Sequence, residues 1–84
     1  MIRPPLFTPE LAAEIEVLSR FDLHSLHTGI KIHKDASPAV ASAAIRLHTK
    51  GLITSEDGGF LTDLGVEVAE HLEHVLTALR GAVH

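Results

Sequence analysis

The densest set of candidate metal ligands is on one short stretch: His71 and His74 are three residues apart, and Glu67 and Glu70 each precede one of them by four. On a helix that spacing gathers two imidazoles and two carboxylates on one side, the donor types a divalent zinc ion takes. Zinc sites take four ligands held by further hydrogen bonds, and no other His or Asp is tied to this group by spacing, while cysteine is absent. The preferred reading is an exposed helix face stabilised by Glu–His pairs, with no metal and no cofactor. His24, His27 and His33 share no ligand spacing and read as surface or boundary histidines. Enzyme chemistry finds no support either. There is no Gly-rich phosphate loop, no Ser-His-Asp order with diagnostic flanks and no pair of carboxylates in a pocket. The expectation is a protein that is not an enzyme and has no small-molecule substrate.

The second constellation is cationic. The whole chain has a net charge of −4, which argues against a nucleic-acid partner, but residues 21–52 carry Lys31, Lys34, Arg46 and Lys50 against only Asp22 and Asp35. His24, His27, His33 and His48 lie in the same segment and gain charge beside an anion. The ends are acidic, most of all the C-terminal third, with Glu56, Asp57, Asp63, Glu67, Glu70 and Glu73 against Arg80.

Positioning these residues falls to a handful of elements. Thr8-Pro9 is a cap followed by proline at the first helical position, and Leu11, Ile15 and Leu18 make an apolar stripe to about Arg20, with Glu10, Glu14 and Glu16 expected to stay wet. Phe21 closes that core. Residues 22–34 are ambiguous: Leu23, Leu26 and Ile30 suit a short helix over Asp22 to Thr28, while Ile30 to His33 alternates as a strand. Ser37-Pro38 starts a helix that runs to Lys50 before Gly51, with Val40, Ala43, Ala44 and Leu47 inward and Ser42, Arg46 and Thr49 outward. Leu52-Ile53-Thr54 and Phe60-Leu61-Thr62 flank a Gly-rich turn in which Asp57-Gly58 supplies positive φ, so a β-hairpin follows. Thr62 caps a last helix to about Arg80, striped by Leu64, Val68, Leu72, Val75, Leu76 and Leu79.

With 84 residues, 45% of them hydrophobic, the chain reads as one domain over 1–84 with its ordered core at about 8–80. So small a core is thin, and the Leu72, Val75, Leu76 and Leu79 side of the last helix is the candidate dimerisation surface of a homodimer. Met1 to Pro5 lacks the apolar run of a signal peptide and no stretch reaches a membrane span, so a cytoplasmic location with no membrane partner is expected.

The order of elements is that of a winged helix-turn-helix with an extra C-terminal helix: mainly α with a small β-hairpin. Arg46-Leu47-His48-Thr49-Lys50-Gly51-Leu52-Ile53-Thr54 and Gly58-Gly59-Phe60-Leu61-Thr62-Asp63-Leu64-Gly65 resemble the bacterial winged-helix pattern of a recognition helix ending in Gly-Leu-Ile and a wing ending in Leu-Thr. More narrowly, Phe21-Asp22-Leu23, Gly29 to His33, Ala43 to Ile53 and Asp57-Gly58-Gly59 resemble a small bacterial family of conserved hypothetical proteins that carries a DNA-binding label. That resemblance spans residues 8–80. It implies no more than that label; the winged-helix resemblance implies a regulator-like protein of transcription, bound to double-stranded DNA through helix 38–50. Ser37, Ala39, Ser42, Arg46, Thr49 and Lys50 would meet bases or phosphates, and Lys31 and Lys34 the flanking phosphates. The residues keep a second reading open. The wing carries Glu56 and Asp57 and no Lys or Arg, and the reading helix has only two cations, so the same scaffold would serve as an adaptor binding protein through its Ala-rich helix face or hairpin edge.

Overall fold

Thr8, Ser37 and Thr62 each start a helix. In a computed structural model describing residues 6–81, the Thr8 hydroxyl accepts from Leu11 N at 3.1 Å at the head of α1 (Pro9–Ser19). Ser37 Oγ accepts from Val40 N at 3.3 Å at the head of α2 (Pro38–Thr49). Thr62 Oγ1 accepts from Gly65 N at 3.0 Å at the head of α3 (Asp63–Leu79). Each cap satisfies an amide that the first turn leaves without an intrahelical partner. Met1 to Pro5, read above for a targeting signal, lie outside the described residues, as does His84.

Three short strands complete the fold: β1 (Ile30–Lys31), β2 (Ile53–Ser55) and β3 (Gly58–Leu61). They form one antiparallel sheet in the order β1-β3-β2. The protein is therefore mainly α with a small β-hairpin, to which β1 adds a third strand. The core lies where α1, α2 and the hairpin meet, and its largest fully buried side chains are Val17, Leu47 and Ile53. Val40, Ala43, Ala44 and Leu47 are the buried residues of α2, as its periodicity predicts. Ala43 and Ala44 leave room for α1 to lie close against it.

Four expectations need correction. Residues 22–28 are not a helix but successive turns: Ser25 N donates to the Asp22 carbonyl and Thr28 N to the Ser25 carbonyl. The Asp22 carboxylate takes the His24 amide at 2.8 Å, a local bond that competes with helix formation. The first half of a helix-turn-helix is thus missing from this segment, and its tail resolves as β1. Glu14 is not wet; it is 6% exposed, between α1 and α2. The apolar face of α1 is also displaced, since Ala13, Val17 and Leu18 are buried while Leu11 and Ile15 are half-buried. In the hairpin turn, Gly58 and Gly59 carry positive φ of 121° and 76°, and Asp57 does not. A side chain on Gly58 would also run into the Ile30 backbone, so the glycine admits β1 as well as the turn.

α3 comes up against backbone at Gly65, while Val68 and Leu72 pack on the core. Only Gly65 and Ala69 are buried along its length, and a Cβ at Gly65 would overlap the Leu52 carbonyl oxygen. That oxygen already accepts the Thr62 amide at 3.1 Å. Among the described residues no helix is long and apolar enough to cross a membrane.

Candidate interaction surface

α2 presents two different flanks to solvent, because residues three and four apart share a side. Ser42 and Arg46 lie on the flank toward α1, lining a shallow seam with Pro9, Glu10, Ala13 and Ala39. Ala41 and Ile45 lie on the other, facing the hairpin turn.

The α1 flank is closed by ion pairs. Arg46 Nε donates to Glu14 Oε2 at 3.2 Å and its Nη2 to the Glu10 carbonyl at 3.0 Å. Lys50 Nζ donates to the other Glu14 oxygen, Oε1. Burial by itself pushes the Glu14 carboxyl up, but the hydrogen bonds and charges of Lys50 and Arg46 more than offset it and hold the group below its usual value. One carboxylate thus pairs with both Arg46 of α2 and Lys50 at its C-cap.

Lys31 on β1 is held in the same manner by Asp57 of the hairpin turn, and its charge lowers the Asp57 pKa through their hydrogen bond and Coulomb attraction. Of the four cations in the basic segment, Lys34 alone has no ion-pair partner among the described residues. The predicted DNA-contacting residues therefore divide. Ser37 is spent as the α2 cap; Thr49, exposed, donates its hydroxyl to the Ile45 carbonyl at 3.0 Å; Ser42 is free and exposed. Arg46 and Lys50 lean to α1, Lys31 to the hairpin, and Lys34 borders a different hollow.

That hollow is a cleft of about 580 Å³ between α2 and the hairpin turn. Ile32, Ala41 and Ile45 give it an apolar wall, with His33 and Lys34 on one rim and Ser55, Glu56 and Asp57 on the other. Ile45 is 46% exposed there, although it belongs to a well-packed helix. The sequence reading missed Ile45 because an isoleucine at that spacing passes for an edge of the core.

On α3, Leu72 and Leu76 are half-buried and line a groove with Leu18, Phe21 and Leu23, whereas Val75 and Leu79 are exposed. The four residues predicted to share a dimer surface thus face two ways. Among the described residues, no group of three His, Cys, Asp or Glu converges as a metal cluster would.

The arrangement defines a small helical domain whose open surfaces are apolar with mixed charge. The chain belongs to DUF5669, a family of unknown function, whose model matches residues 5–80. Neither the curated proteins nor the solved structures hold a match to it.

Proposed function

We propose that this protein is a non-enzymatic docking module that binds another protein in the cleft between α2 and the hairpin, on a winged-helix-like scaffold, and does not read duplex DNA. The observation that carries this reading is the anchoring of Arg46 and Lys50 on buried Glu14. Affinity for DNA grows with the number of phosphates neutralised, and a cation already paired with a carboxylate must lose that pair to contribute. The acidic hairpin turn, with Glu56 and Asp57, opposes phosphate on the other side. A protein partner suits the same features. An apolar side chain would cover Ile45 and Ala41, an acidic group would meet Lys34, and a donor would meet Glu56. With no membrane-crossing helix among the described residues and no cysteine in the sequence, a cytoplasmic setting accords with this role.

Two measurements test it. Fluorescence anisotropy with mixed-sequence duplex DNA should show no binding at low salt; binding there, abolished by Arg46→Ala with Lys50→Ala, overturns the proposal in favour of the gene-regulatory reading. Affinity capture from the source cells should recover a protein that Ile45→Asp with Lys34→Glu no longer recovers, whereas Ser42→Ala leaves recovery unchanged. A partner indifferent to the cleft variant overturns the assignment of the face.

A further inference from the structure

We infer that the cleft between α2 and the hairpin turn takes a short linear segment of its partner, one that carries an acidic side chain, an apolar anchor and a basic side chain in that order. The inference rests on the docking reading above and names what is docked. Its first support is the charge that the fold leaves free. Lys34 on one rim has no ion-pair partner among the described residues, and Asp35, next in the chain, does not pair with it. On the opposite rim Asp57 is taken by Lys31, which leaves Glu56 exposed and without an ion pair among the described residues. One free cation and one free anion thus border the same apolar wall. A segment of a single sign would be drawn to one rim and repelled at the other. A segment that carries both signs about an apolar residue is matched at both.

The second support is the shape and size of the cleft. Ile32 is 7% exposed and Ile45 46% exposed, so the apolar wall recedes from α2 toward Ile32. Ala41 presents only a methyl group beside Ile45 and leaves space for a branched or aromatic side chain. Only a side chain that projects from its own backbone reaches that depth. The residues around the cleft are far fewer than the ~20–30 a side of a standard protein interface. Its volume of about 580 Å³ falls instead in the ~300–1,000 Å³ range of sites that enclose compact groups. A folded surface laid across it would need contacts well beyond the cleft, whereas a few consecutive residues fill it. A contact so small is weak, micromolar or weaker, and with both charges on the rim it weakens further as salt rises.

Selection of random linear peptides displayed on phage against the full chain reads the chemistry of the segment directly. Enriched peptides should share an aliphatic or aromatic residue with an acid on one side and a base on the other. Ala41→Leu, which fills the space beside Ile45, should weaken the best peptide at least about tenfold, as loss of an anchor does, with thermal melting unchanged. Lys34→Glu with Glu56→Lys should weaken it as well. The same peptide with its acid and base exchanged should then bind the doubly substituted chain better than the native one. That rescue reads the charge pairing itself, because an effect on the fold alone would not follow the charges of the peptide. Peptides enriched without the two flanking charges, binding indifferent to Ala41→Leu, or an exchanged peptide that fails to regain affinity for the exchanged chain would each overturn the inference. If no peptide is enriched while a captured protein still depends on Ile45 and Lys34, the partner presents a folded surface and this inference falls alone. Loss of both results overturns the docking reading with it.

Discussion

Arg46 and Glu14 meet across the α1–α2 contact, Nε to Oε2 at 3.2 Å, although they are 32 positions apart in the chain. Glu14 accepts from Lys50 on its other oxygen, so one carboxylate spans a full turn of α2. Removing its charge leaves two cations facing a neutral amide. Because Lys50 and Arg46 remain partly solvated, Glu14→Gln should destabilise the fold by about 1–2 kcal/mol rather than the larger loss of a fully desolvated pair. For a domain of this size that lowers the melting temperature by roughly 5–15 °C, measurable by calorimetry. The same variant frees Arg46 and Lys50, and duplex DNA binding, if it arises anywhere, should arise there.

The pH dependence follows from the same group. The folded-state pKa of Glu14 lies below its usual value of 4.5, because Lys50 and Arg46 outweigh the effect of burial. The unfolded chain therefore binds the proton more readily. Stability from this carboxylate is complete above pH 4.5 and is lost as pH falls through the depressed folded value. Urea denaturation across the acid range should show that decline, and Glu14→Gln should flatten it. Asp57, lowered by Lys31, acts in the same direction but in open solvent, where screening leaves it a minor share.

Gly65→Ala should be among the most damaging single-methyl changes in the chain. The added Cβ meets the Leu52 carbonyl oxygen, which is backbone and cannot rotate away. Displacing α3 by even a few tenths of an ångström also strains the Thr62 amide bond to that same oxygen. A loss of about 2 kcal/mol or more is expected by equilibrium denaturation, the upper range for overpacking.

Thr62 has two duties. Its hydroxyl accepts from Gly65 N and donates to the Gly51 carbonyl at 2.6 Å, tying the cap of α3 to the end of α2. Thr62→Ser should keep both bonds and stay within about 0.5 kcal/mol of the native chain, whereas Thr62→Ala should cost about 1–2 kcal/mol. Thermal melts of the two variants separate the hydroxyl from the methyl group.

Features set by near neighbours were legible in the sequence. Thr8-Pro9, Ser37-Pro38 and Thr62 mark helix starts because a cap acts within one turn, and Gly51 marks a stop because positive φ, 77° here, suits glycine. What the sequence concealed was long-range. Glu14 reads as a wet residue until Arg46 and Lys50 are brought to it from another helix. β1 exists because Ile30 and Lys31 find Gly59 and Gly58, and no local signal announces so remote a pairing. The turns at 22–28 run against the helical spacing of Leu23, Leu26 and Ile30 because the Asp22 carboxylate takes the His24 amide locally. For the surface, charge counting finds the basic segment, whereas the pairing of Lys31, Arg46 and Lys50 arises only when the fold brings Asp57 and Glu14 to them.

Gly65 meets the Leu52 backbone, while the contact between α1 and α2 is closed by one carboxylate. Acid therefore acts on the molecule unevenly. Protonation acts at the join of the first two helices, where Glu14 is the one buried charged residue among the described ones, so acid enters this fold's stability through that contact.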